Sequence, residues 1–410
     1  MIRRTHVHLS DLAGLNRLAS DLSAGLTDLV EALHNNIAGS PGIVGTPMQE
    51  SSSAIASLIY ENVRGVTRLA GDTAEGILAQ IAPTLDVKSS QEREAVLAAL
   101  NGIVGDYLTA TGNSLAISMR LRRKGQPLIL EKKALSATVP PPRDKLLVLV
   151  HGLCMNDLQW KQKGSDFGAA LARDLGYTPI YLHYNSGLHT STNGRTFATL
   201  LETVLQQWPE PLKDFVMLAH SMGGLVSRSA HHYGMAAGLA WPQDLRKLVF
   251  LGTPHHGTLL ERGGNWVNLC LGLSPYTVPF ARLGKLRSAG ITDLRYGNVL
   301  DEDWQGLDRF THTGDLRHPV PLPEGVRCYA IAANVGKKGH DLFGDGLVSV
   351  DSALGRHEDP EMALSFAPSR QCVGYGMNHW EMLSRPAVYA HIRRWIAGPR
   401  RMSSKQHAGA

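Results

Sequence analysis

The chain has 410 residues, a hydrophobic share of 43% and a formal net charge of +5. That length suits two or three domains, and the apolar share is that of a globular protein with a full core. No window reaches the ~18 consecutive uncharged apolar residues that a membrane-crossing helix needs, and the mild positive charge is not gathered into the long basic block that nucleic-acid binding favours.

The first residues carry the basic pair Arg3-Arg4. Asp11, Asn16, Arg17 and Asp21 interrupt any apolar run after it, so no signal peptide is expected and the cytoplasm is the expected compartment. Cys154, Cys270, Cys328 and Cys372 lie far apart with no Cys-x-x-Cys pair. They read as free thiols, with neither zinc nor redox chemistry signalled.

Residues 1–112 read as a helical region. Leu9, Leu12, Leu15, Leu18, Leu22, Leu26, Leu29 and Leu33 recur every three or four positions, one face of a helix. The Gly/Pro/Ser-rich stretch from Gly39 to Ser53 breaks the pattern. A second helix carries Ile55, Leu58, Ile59, Val63, Val66 and Leu69 and ends by Pro83. Ser89 with Glu92 predicts a capping box for a third helix, with Val96, Leu97, Leu100, Ile103, Val104 and Leu108 inward. Such a region serves either as a bundle packed on the main domain or as a surface for a membrane, a granule or a partner. An apolar stripe looks the same in either case.

From Leu115 the period shortens. Ile117, Met119 and Leu121 alternate, and Lys124-Gly125 can turn, which predicts a β-hairpin. After the Pro-rich connector Val139 to Pro142, continuous apolar strands alternate with helices. Strands are expected at 146–150, 179–183, 215–219, 247–251, 327–332 and 371–375, and helices near 166–175, 194–207, 222–234 and 385–396. This rhythm predicts a mostly parallel sheet covered on both faces. It runs over 113–257 and resumes over 323–398. Residues 258–322 interrupt it and read as an inserted cap, with Trp266, Val267, Leu269, Leu271, Leu273, Tyr276, Val278 and Phe280 as its apolar content. The tail 399–410, with Arg400, Arg401 and Lys405, reads as a frayed basic terminus.

Phe215 to Ala219 is a buried strand running into His220-Ser221-Met222-Gly223-Gly224, after which a helical pattern begins. A serine on such a strand-to-helix turn is held with its hydroxyl exposed, and small residues two before and two after it let the backbones pass. Ala219 and Gly223 fill those places. The N–H of Met222, at the helix start, can donate to a developing oxyanion. The strand 146–150 ends in His151-Gly152, so the N–H of Leu153 is the natural second donor. His151 reads as a scaffold residue, and so do His255 and His256 after the strand 247–251.

A serine hydroxyl needs a nearby imidazole to take its proton. In this fold the base comes last in the chain. His379, between the final strand and the final helix, occupies that place. The acid follows the strand 327–332. Asp345, in the turn Gly344-Asp345-Gly346, is favoured over Asp341 and Asp351.

Five ordered motifs resemble the bacterial lipase/esterase group of the α/β-hydrolases and the related GPI inositol-deacylase-like hydrolases. They are His151-Gly152, Ala219 to Gly224, Gly252-Thr253-Pro254-His255-His256-Gly257, Gly344 to Val348, and Asn378-His379. The resemblance covers about 145 to 397. It implies an α/β-hydrolase fold with a cap insertion and an N-terminal helical region. It implies a triad of Ser221, Asp345 and His379 and an oxyanion hole of Leu153 and Met222, with no cofactor and no metal. The expected activity is hydrolysis of carboxylic esters, with small-molecule or lipid substrates, no nucleic-acid partner, and contact with a lipid surface at most peripheral. An acyltransferase would use the same acyl-enzyme with an alcohol in place of water. A binding scaffold carried by the helical region is the alternative outside catalysis.

Overall fold

The computed structural model describes residues 90–398, apart from 142, 259–286, 310–313 and 339–343, together with residues 11 and 14. The expected first two helices, the apolar content of the cap from Trp266 to Phe280, Asp341, Cys270 and the basic tail lie outside the described residues.

Helix α1 spans Gln91–Ala110. Its N-cap is Ser90, whose hydroxyl accepts from the Arg93 N–H. The expected cap at Ser89 is therefore off by one place. Leu100, Ile103, Val104 and Leu108 are buried as the spacing predicts, while Val96 and Leu97 are only partly covered. Strands β1 (Arg120–Arg123) and β2 (Gln126–Pro127) form the short hairpin expected around Lys124-Gly125. The following helix α2 (Lys132–Thr138) has no counterpart in the sequence reading, because only Leu135 of its residues is buried and no apolar period marks it.

The alternating core then unfolds in order: β3 (Lys145–Val150), α3 (Phe167–Leu175), β4 (Thr178–His183), α4 (Thr190–Gln206), β5 (Asp214–His220), α5 (Met222–Ala236), β6 (Leu245–Leu251), α6 (Ala289–Asp293), β7 (Arg327–Asn334), β8 (Gln371–Tyr375) and α7 (Pro386–Ala397). Every expected strand and helix of the α/β part is present, with ends shifted by a few residues. The eight strands form one sheet in the order β8-β7-β6-β5-β3-β4-β1-β2. The pairings from β8 through β4 are parallel, and β1 joins β4 antiparallel.

The strands are apolar on both sides because both sides are covered. Leu146, Val148, Val150, Phe215, Met217 and Ala219 face α1, α4 and α5, where Phe197, Leu201 and Val226 are fully buried. Leu147, Leu149, Val216, Leu218, Val249 and Leu251 face α3 and α7, against Phe167, Leu171, Ile392 and Ile396. The chain leaves β3 to one side for β4 and returns through α4 to the other side for β5. Such a reversal opens a crevice at the carboxyl ends of the strands, where this class of sheet binds its ligands. Among the described residues no helix is long and apolar enough to cross a membrane.

Several histidines are buried in this scaffold. Burial holds the imidazoles of His151 and His256 down to about 3 and that of His231 to about 4. It holds His255 well below the ordinary value of 6.5. In the unfolded chain these rings titrate near that ordinary value. At pH above it both states are neutral and the histidines contribute no pH dependence. Below it the unfolded chain takes up protons that the native state refuses, so stability is lost as pH falls. Each such ring adds a slope of up to ~1.4 kcal/mol per pH unit. Between pH 6.5 and 5, carboxylates are still largely ionised in both states. Urea titrations across that window should show the unfolding free energy falling with uptake of more than one proton, and little change from pH 7 to 8. Within the core, Phe197→Ala should cost about 3–5 kcal/mol in the same assay, because α4 cannot collapse into the space beside the rigid sheet.

Candidate active site

The strand β5 hands over to α5 at Ser221, whose backbone sits at φ 53° and ψ −129°. A residue with a Cβ pays strain there, of order 1–3 kcal/mol, unless its surroundings enforce it. Here they do. The Ser221 N–H donates to the Leu251 carbonyl at 2.8 Å. Gly223 passes so close to the end of β3 that a Cβ on it would lie 2.5 Å from the carbonyl oxygens of both Val150 and His151. A Cβ on Gly152 would lie 2.9 Å from the Ser221 Cβ. The small residue expected two places before the serine, Ala219, is fully buried and registers with Val150 on one side and Phe250 on the other.

Asp345 and His379 come together, 34 residues apart in the chain, with Nδ1 of the ring 2.6 Å from the carboxylate Oδ2. The other carboxylate oxygen accepts from the N–H groups of Leu347 (2.9 Å) and Val348 (2.8 Å). The backbones are also tied, since the His379 N–H donates to the Asp345 carbonyl at 3.1 Å. This turn requires its glycines. Gly344 has φ 56° and faces the Val348 carbonyl at a distance no side chain could share, and Gly346 has φ 95°. Gly252, at φ 56°, backs the pair: a Cβ on it would lie 3.1 Å from the His379 Cε1 and 3.2 Å from the Asp345 Oδ2. Asp351, the alternative acid, has a side chain 70% exposed and pairs with Arg356. It does not reach His379.

A carboxylate on Nδ1 fixes the ring tautomer with the proton on that nitrogen and the lone pair on Nε2. Nε2 is buried and has no hydrogen-bond partner among the described residues. Among the described residues the Ser221 hydroxyl has no hydrogen-bond partner either, and both side chains are almost completely covered. Among the described residues the backbone N–H groups of Leu153 and Met222 have no partner either, whereas the neighbouring Cys154 N–H donates to the Ser186 hydroxyl at 3.0 Å. The hydroxyl, the imidazole nitrogen and the two amides thus stand without a hydrogen-bond partner among the described residues.

Two neighbours carry no signal in the sequence. His220 packs its ring, tilted, 4.7 Å from that of His379 and places Nε2 3.3 Å from the His379 carbonyl. Burial, and then the nearby His379 ring, hold it well below the ordinary histidine value, so it is neutral. Ser186 lies in Asn185-Ser186-Gly187, which reads only as a turn. The scaffold histidines sit where expected. His151 stacks on Tyr184 (4.3 Å) and is covered completely, and His255 packs edge-on against Phe250 (4.7 Å). Among the described residues no cluster of three or more His, Cys, Asp or Glu could hold a metal ion.

Residues 144–320 match the model of the PGAP1-like alpha/beta domain family. A comparison with curated proteins finds no match. Among solved structures, the mature form of the lipase BlEst2 of Bacillus licheniformis is similar at 20% identity, covering 60% of this chain and 88% of that one, with a TM-score of 0.37. The lin2722 product of Listeria innocua is 13% identical over 62% of this chain and 94% of its own, with a TM-score of 0.35. The esterase Pf2001 of Pyrococcus furiosus is 14% identical over 61% and 79%, with a TM-score of 0.34. The fold is a mostly parallel eight-stranded α/β sheet, and residues 144–320 of it are similar to the PGAP1-like alpha/beta domain.

Proposed function

We propose that the protein is a serine hydrolase of carboxylic esters, with Ser221 as nucleophile, His379 as base and acid, Asp345 as the orienting carboxylate, and the N–H groups of Leu153 and Met222 as the oxyanion hole. One observation carries the reading: the buried Asp345–His379 pair, with Nε2 left free, at the same strand ends as a serine in a strained strand-to-helix turn.

The chemistry follows from those positions. Nε2 takes the proton of the Ser221 hydroxyl as its oxygen attacks the acyl carbon. Asp345 stabilises the imidazolium that forms and does not itself take the proton. The oxyanion of the tetrahedral intermediate lies against the two free amides, which point at it before the reaction starts and need no reorganisation. The imidazolium then gives its proton to the leaving alcohol, and the acyl-enzyme remains. Water, deprotonated by the same nitrogen, attacks the acyl carbon, and Ser221 leaves with the proton returned.

The surroundings support an apolar acyl group. Leu153, Met222 and Ile291 are buried, and Gly290 has its Cα where a Cβ would lie 3.1 Å from the Met222 Cε. A lipid-like ester fits that wall and the apolar content of residues 266–280.

Replacing Ser221 by Ala should lower kcat on p-nitrophenyl esters by about 10⁵-fold or more, with the fold kept. Retained turnover would remove Ser221 from the chemistry. Asp345→Asn should cost about 10³–10⁴-fold, because the amide can hold the wrong tautomer in place. A fluorophosphonate probe should label the wild-type chain at Ser221 and leave Ser221→Ala unlabelled. A series of acyl lengths should show kcat/KM rising from acetate to medium chains, and a maximum at acetate would refute the apolar acyl site.

A further inference from the structure

The loop that carries Leu153 is held by groups outside the catalytic set. Cys154 has φ 57°, a left-handed backbone that a residue with a Cβ rarely adopts. Its N–H is taken by the Ser186 hydroxyl at 3.0 Å. Its thiol points at the Ala99 carbonyl of α1 at 3.8 Å. Gly102 of α1 lies directly against it, since a Cβ there would come within 2.2 Å of Sγ and 3.0 Å of the Cys154 Cα and N.

The same helix presses on the loop that carries Ser186. The Asn185 side chain donates to the Gly105 carbonyl at 2.8 Å, and Gly187 lies so close to the Asn101 carbonyl that a Cβ would be 2.1 Å away. A buried ion cluster closes the arrangement from below. Arg122 of β1 bridges Glu94 of α1 (2.7 Å) and Asp157 (3.2 Å), and His183 lies 3.3 Å from Asp157. Asp157 comes three residues after Cys154, and His183 three residues before Ser186. Both loops are thus pinned to α1 at two points each.

We propose that Ser186 and Gly102 are positioning residues for the oxyanion hole: they hold Cys154 in its left-handed conformation, turn the preceding Leu153 N–H toward the reacting centre, and make α1 a working part of the active site. The proposal rests on the serine-hydrolase reading for its catalytic consequence, but the clamp itself is a property of the folded chain. A Cys154 N–H satisfied by Ser186 cannot compete for the oxyanion, and the Leu153 N–H is left as the one loop donor that faces it. An amide displaced by about 1 Å costs up to ~10²-fold in rate while substrate still binds.

The test uses the full chain. Ser186→Ala should lower kcat about 10- to 100-fold with KM changed by less than about 3-fold. The inhibition constant of an alkyl boronic acid, which mimics the tetrahedral state, should rise by about the same factor as kcat/KM falls. Gly102→Ala should behave alike, and adding Cys154→Ala, which removes the thiol it strikes, should recover most of the loss. A loss confined to KM, an unchanged boronic acid constant, or no recovery in the double variant would overturn the proposal. Hydrogen exchange gives a reading without substrate. The Cys154 amide should exchange at least about 10-fold faster in Ser186→Ala, while amides of α5 keep their wild-type rates. Equal rates at Cys154 would overturn the clamp. If wild type neither turns over esters nor reacts with a fluorophosphonate, the hydrolase reading fails, and the exchange rates still decide the clamp.

Discussion

The carboxyl ends of β3 and β5 approach so closely that no side chain can stand between them. Carbonyl oxygens of Val150 and His151 occupy the space where a Cβ of residue 223 would be, and Gly152 meets the Cβ of Ser221. Everything at the site follows from that approach. The turn at Ser221 takes its strained backbone conformation against that approach. The approach also brings the loop after His151 alongside the first turn of α5. The parallel hydrogen bonding of β3, β5 and β6 is the rigid frame that makes the strain tolerable.

A second layer of the design is electrostatic. The imidazoles of His151, His220 and His255 are buried, and burial disfavours their charged form. His379 differs from His151, His220 and His255 in having a carboxylate on Nδ1, which orients its ring. Neutral neighbours leave that pair's field undiluted, and a low-dielectric setting strengthens it.

Much of this was legible in the residues. Strands buried on both faces leave continuous apolar runs, and six such runs from Leu146 to Tyr375 are the parallel part of the sheet. The turn at Ser221 and the place of His379 beside Asp345 were legible because strand ends are tied to chain order. Asp345 stood out from Asp351 through the flanking glycines, which a tight turn demands. Other features left no mark. Helix α2 buries only Leu135, so it has no period to detect. Two serines stand side by side before α1, and the capping-box pattern picks Ser89 where Ser90 caps the helix. Ser186 and Gly102 are 84 places apart and have ordinary local contexts. Their relation to Cys154 exists only once α1 has packed across the loops, and long-range packing of small residues writes no periodic signature.

The free margin of the sheet at the hairpin has its own consequence. There β1 reads Arg-Leu-Arg-Arg, and the outermost strand β2 is two residues long and ends in Pro127. Proline offers no amide to a newcomer, and a strand this short offers almost no ladder. The flanking guanidinium groups would repel a second copy arriving edge to edge. A sheet whose other strands are among the most apolar stretches of the chain is thereby closed to growth by self-association at that margin, which keeps a sticky interior compatible with a high concentration of the folded molecule.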